Sequence, residues 1–283
     1  MGEPGGELMA AEDLQQLEVR LVLEAIYARH GYDFRQYTAD SMERRVLAAA
    51  AKIGAVHLGE LQHRVIHHPA DFSAVLDVLT VRVTEMFRDP SFYRAFRELV
   101  IPVLRTYPEI KIWHAGCASG EEVYASAILL TEANLYRRAQ IYATDISSVA
   151  LEHAREGVYS EQDLPAFAQN YYASGGTADF DRYWSRAYGR ISVREELRAN
   201  VHFFQHDLVS DYSLGEMHVI FCRNVLIYFG AQLRQRVSAL FDDGLARRGF
   251  LCLGSSEALS PSQRPHYEDV STAERIFRRR SAS

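Results

Sequence analysis

The chain has 283 residues, 48% of them hydrophobic and 24% charged, with 8 prolines and 17 glycines. That composition excludes a disordered or fibrous chain and leaves room for one large or two smaller globular domains. A formal charge of −6 argues against a surface built to release counterions from nucleic acid, so no nucleic-acid partner is expected.

Cys117, Cys222 and Cys252 supply neither an even disulfide framework nor zinc-ligand spacing, which points to a reducing cytoplasm. The opening MGEPGGELMAAEDLQQ lacks the basic start and apolar core of a secretory signal. No apolar run approaches the roughly 20 residues of a membrane span, so membrane insertion is not expected. Met1-Gly2 superficially invites myristoylation, but Gly6 stands where that pattern needs Ser or Thr.

In chain order, helical spacing predicts helices from Asp13 to about His30, Ser41 to Lys52, Gly59 to His67 and Asp71 to Leu79, with Gly31, Gly54 and Pro69 as stops. This is a small all-α unit with short connections. Asp89-Pro90 reads as a capped start of a helix running to about Arg105. From there strand-like and helical runs alternate: IKIWHAG, GEEVYASAILLTEANLY, QIYATD, SSVALEHAREG, then NVHFFQHDL, MHVIFCRN, a helix over about Ala231 to Ala246, and GFLCLGSSE. Such alternation predicts a parallel sheet covered on both faces. The aromatic-rich stretch of about 157–200 is expected to be an inserted small antiparallel unit, and the terminal ERIFRRR an edge strand.

Ligands of an open parallel sheet bind beyond the carboxyl ends of its strands. Those ends carry Gly116 and Gly120, Asp145, His206-Asp207, Arg223-Asn224 and Ser255-Ser256-Glu257. The two glycines are four apart rather than in the dinucleotide spacing. Glu121 and Glu122 also occupy the helix start, where a pyrophosphate needs positive potential. A cofactor with ribose, adenine and a sulfonium tolerates carboxylates there, and S-adenosylmethionine fits that description. Asp145 then stands where an acidic residue accepts ribose hydroxyls, although an Asp after a strand also serves as a helix cap and paired glutamates as dipole compensation. The 11 histidines show no metal-ligand spacing, so no metal is expected.

LTVRVTEMFRDP (79–90), WHAGCASGEEVYASAILL (113–130), ATDIS (143–147), FCRNVLIYF (221–229) and LGSSE (253–257), in this order, resemble the chemotaxis receptor methyltransferases, the CheR family. The resemblance implies a Rossmann-like S-adenosylmethionine-dependent methyltransferase domain (91–280) with a small antiparallel β subdomain at about 160–200. A helical receptor-docking domain (10–82) and a linker (83–90) would precede it. The implied activity is methyl transfer to glutamate side chains on chemoreceptor cytoplasmic helices, leaving S-adenosylhomocysteine. A monomer is expected.

Catalytic roles implied by the resemblance fall to Arg88, holding the acceptor carboxylate, and Tyr228, near the methyl. Implied cofactor contacts are Arg82, where the family has Asn, with Thr84, Arg88, Glu122, Asp145, Asp207, Leu208, Asn224 and Val225. Asp207 stands where the family usually has Asn, and Ile146 is placed beside the adenine. Between Glu121 and Glu122 the choice stays open. The small residues Ala115, Gly116 and Gly120 are expected to admit the ligand. Arg44, Arg45 and Lys52 would dock the acidic receptor helix, and about 175–200 would take a receptor C-terminal pentapeptide as an added strand. Competing readings are a cofactor-binding adaptor of a chemosensory complex and a Rossmann methyltransferase of another substrate class.

Overall fold

The computed structural model describes residues 11–80 and 84–281. Two compact units divide the chain, the first ending at Val81 and including Tyr228–Gly230, the second holding Arg82–Ile227 and the chain from Ala231 onward.

The first unit contains α1 (Ala11–His30), α2 (Ala39–Ile53), α3 (Leu58–His67) and α4 (Pro69–Leu79). Apolar residues at helical spacing make its core: Val22 and Ile26 of α1, Val46 and Ala49 of α2, Leu61 and Val65 of α3, and Val75 and Leu79 of α4. Gly54, at φ 71°, ends α2 by donating its N–H to Ala50 and Ala51 carbonyls. Pro69 opens α4 instead of merely ending α3, because its missing N–H is harmless in a first turn. The segment 228–230 joins this unit through backbone bonds from Thr38 N to Tyr228 O (3.0 Å) and Gly230 N to Gln36 O (2.8 Å).

In the second unit α5 (Pro90–Ala95) passes through a π turn (Phe96–Val100) into α6 (Ile101–Leu104). Pro102 accounts for the break in the expected continuous helix: it lacks an N–H, and its ring would clash with the carbonyl four residues back. The expected cap is also corrected. Asp89 has φ 57° and makes no side-chain cap bond, because its carboxylate pairs elsewhere.

The following elements are β1 (Ile110–Ala115), α7 (Glu121–Glu132), β2 (Ala139–Asp145), α8 (Ser148–Glu156), β3 (Val158–Ser160), α9 (Leu164–Ala173), β4 (Trp184–Ala187) and β5 (Arg190–Val193). After them come β6 (Val201–Gln205), β7 (Met217–Cys222), α10 (Ala231–Gly244), β8 (Leu245–Leu253), β9 (Tyr267–Ser271) and β10 (Ile276–Arg279). The main sheet has the order β6-β2-β1-β7-β8-β10-β9, its first five strands parallel and β10 antiparallel to both neighbours. A separate sheet, β3-β5-β4, is the antiparallel insertion.

The terminal strand is corrected: β10 lies inside the sheet and β9, not anticipated, forms the edge. Ile276 and Phe277 are consecutive and both buried, as an interior strand covered on both faces requires. With five parallel strands, the loops after β6, β2, β1, β7 and β8 leave the same side of the sheet, which gathers residues distant in sequence.

Candidate active site

The loop between β1 and α7 is anchored to the end of β2. Gly116 and Cys117 both donate their N–H to Thr144 O at 2.8 Å. Ala118, at φ 47°, donates to Asp145 Oδ2 and Ser147 donates to Asp145 Oδ1, each at 2.9 Å. Each Asp145 oxygen thus has one N–H donor here, and the half-buried carboxylate is locked in orientation. The glycines of this loop make room for protein. A Cβ on Gly116 would fall 2.5 Å from Val225 Cγ2, and one on Gly120 would fall 3.0 Å from Ala154 Cβ. Their smallness is thereby accounted for by packing of the loop on Val225 and α8, a use that sequence reasoning did not foresee.

The adjacent glutamates have different surroundings. Glu121 is 7% exposed and accepts from Ser119 Oγ at 3.0 and 2.8 Å. Burial pushes its carboxyl up to about 7. Glu122 divides its oxygens between His114 Nδ1 (3.0 Å) and Arg223 Nη1 (3.0 Å). Burial pushes this carboxyl up, but His114 and Arg223 outweigh it and hold it below the ordinary value. Arg223 also reaches Asp89 Oδ2 with Nη2 at 2.8 Å, and its guanidinium lies 4.0 Å over the Phe92 ring. The choice between the two glutamates therefore sets a carboxylate with two basic partners against one held by the Ser119 hydroxyl and its own backbone N–H.

Beyond β7 the chain turns through Asn224, at φ 61°, into Val225 and Leu226. Glu257 imposes that turn: Oε2 accepts from Asn224 N (3.0 Å) and Gly254 N (2.6 Å), and Oε1 from Val225 N (2.9 Å) and Leu226 N (2.7 Å). Burial pushes its carboxyl up, opposed by these four donors. Sequence reasoning placed Glu257 at a strand end but gave it no role. Its one available signal was a carboxylate directly after an apolar strand and two serines.

Asp207 accepts from Val209 N (2.8 Å) and Ser210 Oγ (3.2 Å), which is a turn cap, with Leu208 buried behind it. Ile146 receives a bond at its carbonyl from Gln205 Nε2 at 3.0 Å. Thr84 and Arg88 are half-buried in the segment before α5, and Arg82 lies outside the described residues.

Four expected residues, Tyr228, Arg44, Arg45 and Lys52, lie in the first unit. Tyr228 is half-buried with the Arg45 guanidinium 4.3 Å over its ring. Arg45 is 7% exposed and donates to Leu79 O at 2.6 Å, so its charge is engaged inside this unit and does not lie on the expected docking face. Arg44 and Lys52 are exposed on α2 with Leu47, Ala48 and Ala51, and form a basic-flanked apolar stripe.

A cavity of about 540 Å³ is lined by Arg97, Arg105, Glu132 and Tyr183 among others, at the carboxyl end of α7. The strand-end site faces the opposite end of this 12-residue helix, about 18 Å away at 1.5 Å per residue, so the cavity is not that site.

The donor set suits a cationic nucleoside cofactor. An oriented Asp145 can accept ribose hydroxyls, and the start of α7 carries carboxylates instead of the cations a diphosphate requires. Two family profiles match the chain: CheR methyltransferase, SAM binding domain, over residues 82–276, and CheR methyltransferase, all-alpha domain, over residues 17–80. The chain belongs to the CheR methyltransferase family. Its cofactor is S-adenosylmethionine, and its fold is the family's all-α domain followed by the methyltransferase sheet with its antiparallel insertion.

This CheR chain is 44% identical over 272 residues to the Cher3 protein of Pseudomonas putida, covering 96% of this chain and all of the relative. It is 32% identical to chemotaxis protein methyltransferase Cher2 of the same species, over 83% of this chain and 86% of the relative. To chemotaxis protein methyltransferase 1 of Pseudomonas aeruginosa it is 30% identical, over 87% and 90% respectively.

Proposed function

We propose that this CheR methyltransferase esterifies glutamate side chains on the cytoplasmic helices of chemoreceptors, as part of chemotactic adaptation. The names of its chemotaxis relatives support the substrate class. The observation that carries the reading is the presentation of Arg88, half-buried on a segment whose backbone is gripped by a buried arginine that also pairs with Glu122. A fixed guanidinium is suited to gripping a carboxylate acceptor.

The chemistry asks little proton transfer of the chain. A glutamate carboxylate, with a reference pKa near 4.3, is already ionised at neutral pH and needs no general base. Bound S-adenosylmethionine supplies an electrophilic methyl group on a sulfonium. The chain's part is to orient the acceptor and exclude water, an effect of up to about 7–11 kcal/mol.

In this reading Arg88 holds the acceptor carboxylate, and Tyr228 provides an aromatic wall with a hydroxyl near the methyl. Asp145 takes the ribose diol. Thr84, Asn224, Val225, Asp207 and Leu208 line the nucleoside and methionine parts, with Arg82 beside them. Glu122, in preference to Glu121, meets the cofactor's amino group or the adjoining polar network, which it orders through Arg223. The 10–82 region docks the receptor helix through Arg44 and Lys52, and the work is done by a monomer in the cytoplasm. Among the described residues no helix is long and apolar enough to cross a membrane.

The test is incubation with methyl-labelled S-adenosylmethionine and receptor cytoplasmic fragments. Base-labile label on mapped glutamates is expected. Cofactor binding without transfer to any of several receptors would instead favour the adaptor.

A further inference from the structure

The segment that presents Arg88 is not held by local preference. Phe87 and Asp89, on either side of Arg88, have φ of 54° and 57°, in the left-handed region that side-chain-bearing residues rarely adopt. Such residues persist only where their surroundings over-determine them.

Phe87 is fixed by burial. It is fully covered, with the Tyr93 and Tyr171 rings at 5.1 and 5.4 Å in edge-to-face contact. Asn170 Nδ2 donates to the preceding carbonyl, Met86 O, at 3.2 Å. Asp89 is fixed by charge. Its carboxylate receives Arg223 Nη2 at 2.8 Å, and both terminal nitrogens of Arg223 lie 3.5 Å from the Arg88 carbonyl oxygen.

Arg223 is itself immobilised from the opposite direction. Its side chain is 3% exposed, Nη1 is bonded to Glu122, and Glu122 is held by His114, whose ring stacks on Phe221 at 4.4 Å. His114 and Phe221 belong to paired central strands, so the chain His114, Glu122, Arg223, Asp89 runs from the sheet core to the backbone of Arg88.

We propose that Arg223 is a positioning residue for methyl transfer: through Asp89 and the Arg88 carbonyl it clamps residues 86–89, and so fixes the direction in which Arg88 meets the acceptor carboxylate. This rests on the role proposed above for Arg88. The clamp explains why Asp89 does not cap α5 although it precedes Pro90. It also explains why a buried arginine follows β7 directly. A lysine could not do the same, since one ammonium cannot reproduce the planar fork that spans Glu122 and Asp89.

The test uses the full chain and two variants, Asp89→Asn and Arg223→Lys. Asp89→Asn removes the charge at a half-exposed position and spares the fold. Three quantities are read: transfer to a receptor cytoplasmic fragment, affinity for S-adenosylhomocysteine by calorimetry, and hydrogen exchange of amides 85–89. For Asp89→Asn the clamp predicts at least a tenfold loss in kcat/KM for the fragment, product affinity within threefold of the parent, and at least tenfold faster exchange confined to that segment. Arg223→Lys should show the same pattern.

Unchanged exchange, or faster exchange with unchanged transfer, would overturn the proposal. So would a loss of transfer accompanied by a general rise in exchange, which would mark the network as merely structural. If the parent chain methylates no receptor fragment, that failure belongs to the functional reading, and the exchange of 85–89 still decides whether the clamp exists.

Discussion

The helical unit and the strand ends of the sheet handle charge in opposite ways. In the helical unit ion pairs join residues near in sequence and partly exposed, as Arg35, in the turn after α1, does with Asp33 at 2.8 Å and Glu24 at 3.2 Å. The buried Arg45 makes no ion pair among the described residues and is held by Leu79 O and the Tyr228 ring. At the strand ends charged groups are buried and share partners across long separations: Arg223 lies 101 residues from Glu122 and 134 from Asp89, and Glu257 reaches back 33 residues to Asn224. Among the described residues, four of the eight non-glycine residues with positive φ, Phe87, Asp89, Ala118 and Asn224, belong to this second region, and Asn134, Tyr188, Arg248 and Arg275 lie elsewhere. Strain and buried charge coincide where the chain must hold a fixed shape for chemistry; exposed ion pairs tune a surface and little else.

The sharpest way to break this comparison is to remove Glu257. Four backbone N–H groups, on the buried Leu226 and Gly254 and the half-buried Asn224 and Val225, would lose their acceptor in Glu257→Ala, at about 1–3 kcal/mol each. The expected outcome in urea unfolding is a loss upward of about 4 kcal/mol. Arg35→Ala, in the helical unit, should cost only about 0.2–1 kcal/mol. Equal losses would erase the distinction between the two regions.

A smaller effect of opposite sign is expected at Glu121. Its folded value of about 7 stands above the ordinary 4.5. The fold therefore favours the protonated form: the associated stability is complete below about pH 4.5 and is lost as pH rises through 7. Glu121→Gln should leave the melting temperature near pH 4.5 unchanged and raise stability by about 3 kcal/mol above pH 8, in protein without added cofactor. A gain that is flat across pH would show that the carboxyl is not held protonated.

The same contrast explains what could be read in the sequence. Helices and parallel strands announce themselves through local periodicity, so the four-helix unit, the alternation and the antiparallel insertion were all legible. Pairing order is not local. The strand 276–279 reads as an edge because it ends the chain, whereas β9 leaves little trace because its sequence, YEDVS, carries two charges and little apolar alternation. At the site, the polar residues directly after apolar strands marked the right loops. What they bond to was hidden: whether Asp89 caps a helix or holds Arg223, and whether Arg45 faces a receptor or covers Tyr228, depends on residues brought close only by the fold.

The role proposed for Arg88 is to hold the acceptor carboxylate. Arg88→Ala, compared with the parent in single-turnover transfer to a receptor fragment and in calorimetric binding of S-adenosylhomocysteine, tests it most directly. Transfer is expected to slow by about a hundredfold or more, the effect of losing one preorganised charged contact, with product affinity within about threefold of the parent. Equal losses in transfer and binding would contradict it and assign Arg88 to the cofactor instead.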